Sequence, residues 1–260
     1  MKFIHLTDTH VIGEGTLYGQ DPAARLRAAV ASINREHGDA DFVVLTGDMT
    51  HWGDAAAYER FSREIEQLNM PAHLMVGNHD DTAAFGAAFP EIPRDENGFV
   101  QSSFETQFGR FLLLDTKDPE SHAGAYCPAR QAWLDRELDQ TDGSIFLFMH
   151  HPPFKIGIAA MDQIMLPDAK TFYDVIAPHK ARIRHLFFGH VHRAIFGNWR
   201  GISHSCMRGL NHQVALDLNG TVDRIRANCE PPAYGVVMLS DDQVTVHLHA
   251  FADRSEQFFL

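Results

Sequence analysis

An α/β fold is the expectation for this 260-residue chain, and three features support it. Short apolar runs alternate with amphipathic stretches of helix length, each run is closed by Gly or a polar residue, and 45% apolar content suffices for a sizeable core. The first run, Phe3 to Leu6, precedes a predicted helix from Pro22 to Asn34, with Asp21 as N-cap, Pro22 at the first position and Leu26, Val30 and Ile33 on one face. Phe42 to Leu45 follows, then a second helix over Asp54 to Leu68, striped by Tyr58, Phe61, Ile65 and Leu68. Runs at His73 to Val76 and Phe111 to Leu114 lead to a helical stretch at Pro128 to Leu138. Ile145 to Met149 leads to another at Asp168 to Ile176, and His185 to Phe188 ends the series. Beyond His192, five shorter segments (194–199, 202–206, 213–218, 234–239 and 244–249) alternate as antiparallel strands would. Asn219-Gly220 and Asp241-Asp242 are their turn signals.

Ligands of α/β sheets gather at the carboxyl ends of strands, and the distinctive residues sit there. Asp8-Thr9-His10 follows the first run, Gly47-Asp48 the second, Gly77-Asn78-His79-Asp80 the third, His150-His151-Pro152-Pro153 the fifth and Gly189-His190-Val191-His192 the sixth. Carboxylate, amide oxygen and imidazole are the ligand types a pair of divalent cations needs. In extended chain, Asp8 and His10 would share a face, as would His190 and His192, with Val191 turned to the core. Asp48 would bridge two metals through its two oxygens. Of the adjacent histidines, only one can face the site, and His150 is the expected one. Gly47, Gly77 and Gly189 stand where a chain leaving a strand turns sharply beside the ligands. Asp115 reads as structural, Asp80 and Asp81 as a helix N-cap and a first-turn charge, and His5, His73 and His185 as satisfied histidines within strands.

Composition narrows the function. A formal charge of -12 repels a nucleic-acid backbone or an anionic membrane, so a small substrate is favoured over a polymer. No apolar run approaches the roughly 20 residues of a membrane-spanning helix. Cys127, Cys206 and Cys229 are too few and scattered for a disulfide scaffold, and the N-terminus has no secretory pattern, so the expected location is cytoplasmic.

The five motifs, in this order and spacing, resemble those of the calcineurin-like metallophosphoesterases. The whole chain looks like their bacterial class III cyclic-nucleotide phosphodiesterase and glycerophosphodiesterase branch. Leu17-Tyr18-Gly19 and Asn211-His212-Gln213-Val214 are similar to that branch as well. The resemblance implies a four-layer α/β/β/α sandwich of two mixed β-sheets flanked by helices, with a small C-terminal cap region. Residues 1–192 would form the catalytic core, and 193–260 would complete the sandwich and supply a cap and homodimer or higher homo-oligomer contacts. The apolar end, Phe258-Phe259-Leu260, would suit burial in the core or against a partner.

The resemblance also implies two divalent metal ions (iron, manganese, zinc or cobalt). Asp8, His10, Asp48 and His192 would hold the first, and Asp48, Asn78, His150 and His190 the second. His79 would be catalytic without ligating metal, and Tyr18, Asn211 and His212 would be substrate-binding. Two such cations less the charges of Asp8 and Asp48 leave about +2, or about +1 with a metal-bound hydroxide, which complements a phosphodiester monoanion. The expected activity is hydrolysis of small phosphodiesters (cyclic nucleotides, glycerophosphodiesters or related compounds) by attack of that hydroxide. The alternatives are a phosphomonoesterase or protein phosphatase with the same metals, and a non-catalytic interaction module on this scaffold, against which the complete ligand set argues.

Overall fold

Runs buried on both faces set the architecture, which the computed structural model describes for residues 1–256, 258 and 259. The chain runs β1 (Lys2–Leu6), α1 (Pro22–Glu36), β2 (Phe42–Leu45), α2 (Ala55–Ile65), β3 (Ala72–Leu74), α3 (Thr82–Ala88), β4 (Ser102–Thr106), β5 (Gly109–Leu114), α4 (Pro128–Asp139) and β6 (Ile145–Met149). It continues through α5 (Ala169–Ile176), β7 (Ile183–Phe188), β8 (Ile195–Trp199), β9 (Ile202–Cys206), β10 (Gln213–Val214), β11 (Ala227–Asn228), β12 (Tyr234–Leu239) and β13 (Val244–His249). One sheet has the order β13-β12-β1-β2-β3 and a second β4-β5-β6-β7-β9-β8, while β10 and β11 pair apart from both.

Three apolar clusters separate four layers. Phe3, Val44, Phe146, Phe148 and Phe187 pack between the sheets. Ile4, Leu6, Val43 and Leu45 face outward onto Leu26, Val30, Tyr58 and Phe61 of α1 and α2. Leu147 and Met149 face Leu134 of α4 and Phe172 of α5. Alternate residues of one strand thus enter different cores, which is why these strands read as continuous apolar runs. The result is the α/β/β/α sandwich, with both sheets mixed in direction.

Asp21 and Asp54 cap α1 and α2 by accepting from backbone N–H groups. Several expectations are corrected. Asp81, not Asp80, is the N-cap of α3, accepting from Ala84 N. The segment after residue 192 is not wholly antiparallel, since β9 lies parallel to β7, pairing Leu186 with His204. The expected strand over 213–218 shrinks to Gln213–Val214. Phe258 and Phe259 are exposed, so this apolar end is not buried in the chain's own core, and Leu260 lies outside the described residues.

His5, His73 and His185 take structural places. His5 meets Thr46 Oγ1 at 2.9 Å, His73 stacks on Phe104 at 4.0 Å, and His185 spans Ser203 Oγ at 2.8 Å and Ser205 Oγ at 2.9 Å. Burial, assisted by the charges of His204 and His5, lowers His185 to about 3. The unfolded chain takes a proton there from about pH 6.5 downward and the folded chain does not, so stability falls as pH falls between those limits. His185 alone is expected to remove about 1.4 kcal/mol per pH unit in that window. Urea midpoints between pH 7 and 4 should fall less steeply for His185→Asn than for the parent chain. Identical slopes would sink the assignment.

Candidate metal centre

Six of the expected ligands lie in segments that leave the carboxyl ends of β1, β2, β6 and β7, and Asn78 follows the run containing β3. The loops are tied to one another: Asp8 N donates to Gly47 O at 3.2 Å, His10 N to Asp48 O at 3.0 Å, and Leu210 N to Asp8 O at 3.0 Å. Asp80 is a buried pin beneath them, accepting from Gly77 N at 2.9 Å, Met49 N at 3.2 Å, Thr50 N at 3.1 Å and Tyr58 Oη at 3.0 Å. Burial and then the neighbouring Asp48 charge raise its carboxyl to about 6.

The ligands do not converge by strand pleating, as the D-x-H and H-x-H spacings suggested. Asp8, His10, Asp48, His190 and His192 have φ of 53°, 47°, 52°, 69° and 49°, all left-handed. Such conformations cost on the order of 1 kcal/mol or more each and cluster where function over-determines the backbone. Val191 between the two histidines is buried in the core cluster, as expected. Gly47 is a steric necessity: its φ is +97°, and a Cβ there would sit 2.6 Å from His150 Nδ1 and 2.8 Å from Gly77 N.

The donor set converges. One ligand atom each from Asp8, His10, Asp48 and His192, all buried, lies within 4.8 Å of the others. His10 Nε2 is 3.0 Å from His192 Nε2, and His192 Nε2 is 3.3 Å from Asp8 Oδ1. On the other side, Asn78 Oδ1 lies 3.1 Å from His150 Nε2 and 2.9 Å from His190 Nδ1. Asp48 Oδ2 stands between the two groups, 3.5 Å from His10 Nε2 and 3.4 Å from His150 Nε2. Its other oxygen accepts from His79 N at 2.8 Å, so only one carboxylate oxygen, not two, spans the clusters.

Backbone carbonyls orient the imidazoles. His150 Nδ1 donates to Thr46 O at 2.7 Å and His192 Nδ1 to His212 O at 2.9 Å, which turns both Nε2 lone pairs inward. Lone pairs of nitrogen, amide oxygen and carboxylate then face each other with too few hydrogens between them. His190 Nε2 is buried with no hydrogen-bond partner among the described residues. A cation or trapped protons must relieve this, and the donor types fit borderline divalent transition metals. Without a cation, protons serve. Burial opposes the charge on His150, but Asp48 overrides it and raises the imidazole to about 9. Burial likewise opposes the Asp48 charge, yet His150 holds that carboxyl well below its usual range. His190, buried and facing the His150 charge, is lowered to about 3.

A cavity of about 380 Å³ opens above, with His79, Tyr18 and His212 on its walls. His79 Nδ1 donates to His51 O at 3.0 Å, so Nε2 is left for the cavity. Tyr18 is exposed and packs edge-on to His212 at 4.8 Å. Asn211 does not line the cavity: it is fully buried, and its amide donates to Leu17 O at 3.3 Å. His151 joins His150 and His190 as a possible metal cluster. Both its ring nitrogens are engaged, however, with Thr116 Oγ1 at 2.9 Å and His122 O at 3.2 Å.

Two residues escaped the sequence reading. His51 Nδ1 lies 3.0 Å from His10 Nδ1 and its ring stacks on His79 at 4.8 Å. His122 Nδ1 accepts from Asn78 Nδ2 at 2.9 Å and so aims Oδ1 at the cluster. His51 has a local signal, three residues after Asp48, whereas His122 stands in a loop with no motif.

Comparisons with known proteins agree with this geometry. The family model described as calcineurin-like phosphoesterase matches residues 1–194. A probable cyclic nucleotide phosphodiesterase of Rhodopseudomonas palustris is 44% identical over 256 residues, covering 96% of this chain and 93% of the relative. The probable glycerophosphodiester phosphodiesterase GpdQ of Arcobacter nitrofigilis is 30% identical, covering 95% and 92%. Among solved structures, a dimetal phosphatase from Danio rerio shares the fold with a TM-score of 0.71 at 17% identity, covering 97% of this chain and 96% of that one. With the family model covering most of its length and relatives matched almost end to end, the chain belongs to the calcineurin-like phosphoesterases.

Proposed function

We propose that this chain hydrolyses small phosphodiesters with two divalent cations, one held by Asp8, His10, Asp48 and His192 and the other by Asp48, Asn78, His150 and His190. The observation that carries this reading is the position of Asp48 Oδ2 midway between His10 Nε2 and His150 Nε2, at 3.5 and 3.4 Å. When bound, such a pair supplies Lewis acidity toward a phosphoryl oxygen and an acidified water as nucleophile. With both ring nitrogens protonated, His79 donates through Nδ1 to His51 O and would present Nε2–H to a phosphate oxygen or to the departing alkoxide. Tyr18 and His212 border the space for the leaving group. Asn211 holds the loop behind them, through Leu17 O.

A cyclic nucleotide suits this cavity better than a glycerol ester. Met161, Ile164, Val214 and Ile225 are among the lining residues and give the cavity apolar surface, which favours a flat base over a polyol. Relatives named for each activity match the chain, and the 44% identical one is named for cyclic nucleotides. Free thiols at all three cysteines suit a cytoplasmic enzyme, and no described helix is long and apolar enough to cross a membrane. The purified chain, reconstituted in turn with manganese, zinc, cobalt and ferrous iron, should cleave bis-p-nitrophenyl phosphate faster than p-nitrophenyl phosphate. It should also prefer 3′,5′-cyclic AMP to glycerophosphoethanolamine. Faster cleavage of the monoester would establish the phosphatase alternative instead, and inertness with every metal would favour a binding module.

A further inference from the structure

We propose that Glu36, His37 and His249 form a separate binding site for one divalent transition-metal ion of the zinc class. The three meet between the C-terminal end of α1 and the end of β13, the edge strand of the first sheet. One ligand atom from each lies within 4.8 Å of the other two, with Glu36 Oε2 3.0 Å from His249 Nε2. None of the three borders the catalytic cavity.

The donors are already oriented. Glu36 Oε1 accepts from Ser32 Oγ at 3.1 Å and from Arg35, leaving Oε2 for the cluster. Ser32 is in turn 2.9 Å from Tyr234 Oη. The Tyr234 ring stacks on His249 at 4.9 Å and meets His37 edge-on at 5.8 Å, holding the two imidazoles nearly perpendicular. The backbone of His37 is pinned as the C-cap of α1, its N–H donating to Ile33 O at 2.8 Å.

One atom is left over. His37 Nε2 is buried with no hydrogen-bond partner among the described residues. An ordinary ion pair between Glu36 and His249 accounts for two of the three groups and does nothing for that nitrogen. A metal ion engages all three. Two imidazoles and one carboxylate suit zinc, cobalt or nickel rather than magnesium or calcium, which prefer all-oxygen sites. A groove of about 790 Å³ beside His37 and His249, bordered by Asp41 and by the paired Lys2 and Asp39, gives the ion a solvent route and water for its remaining coordination positions. Bound there, the ion would fasten the late edge strand to the first helix.

The test is a zinc titration by calorimetry of the full chain with its catalytic metals loaded and excess metal removed. The parent chain should bind one equivalent more than His249→Ala, Glu36→Gln or His37→Gln, with diester turnover the same in all four. Cobalt added as a probe should give a visible absorption band that the variants lack. Should His249→Ala lose its circular dichroism, the two conservative variants decide. Equal stoichiometry in the parent and the folded variants would overturn the site and leave only the ion pair.

Discussion

Asp48→Asn is expected to leave the chain folded but largely stripped of divalent metal, with diester turnover lower by about 10³-fold, equivalent to roughly 4 kcal/mol. The amide has the shape of the carboxylate but cannot meet both of its partners. One Asp48 oxygen accepts from His79 N at 2.8 Å, and the other faces the imidazole nitrogens of His10 and His150. If the Asn oxygen stays with His79 N, an NH2 group points at the cations. If it turns to the cations, two donors oppose each other at His79. Both arrangements remove a charge from the centre of the donor set. Mass-spectrometric metal content and turnover of bis-p-nitrophenyl phosphate check this together, with circular dichroism as the control for folding. A folded variant with full metal content and parental turnover would refute the bridging role.

Much of the fold was legible because the strands are buried on both sides. In β6, Phe146 and Phe148 enter the core between the sheets while Ile145, Leu147 and Met149 enter the core under the helices, so the segment stands out as an unbroken apolar run. The elements that escaped lack that signal. β4 is an edge strand of only partly buried or exposed residues, Ser102 to Thr106, and α3 is a short, alanine-rich helix with Phe85 as its one buried residue. For the site, residue types and strand-end positions were readable, because carboxylate, amide and imidazole after apolar runs are rare enough to notice. The way they converge was not. Left-handed backbone at five ligands does not follow from the apolar pattern, although all five are Asp or His, residue types that adopt it more readily than most. Nor does a sequence reveal which carboxylate oxygen is taken by a backbone N–H, or that His122 aims the Asn78 amide. Asn211 shows the converse limit: neighbours that look alike in sequence point to different places, His212 into the cavity and Asn211 into the core.

His79→Ala separates catalysis from assembly. Its backbone N–H, which positions Asp48, survives the substitution, and its side chain meets the donor set through a ring contact with His10. Metal content should therefore match the parent chain while kcat falls by about 10² to 10⁴-fold, the usual range for a group acting in proton transfer. The leaving group then distinguishes its two possible tasks. If His79 Nε2 protonates the departing oxygen, the loss should be severe for a sugar alkoxide and slight for p-nitrophenolate, which leaves without a proton. If it steadies charge on a phosphoryl oxygen instead, both substrates should lose the same factor. His51 bears on the outcome, because its carbonyl accepts from His79 Nδ1 and so holds the ring with Nε2 turned to the cavity. Loss of metal together with activity would mean that the ring holds the centre together, and His79 would have to be reassigned to the ligand set.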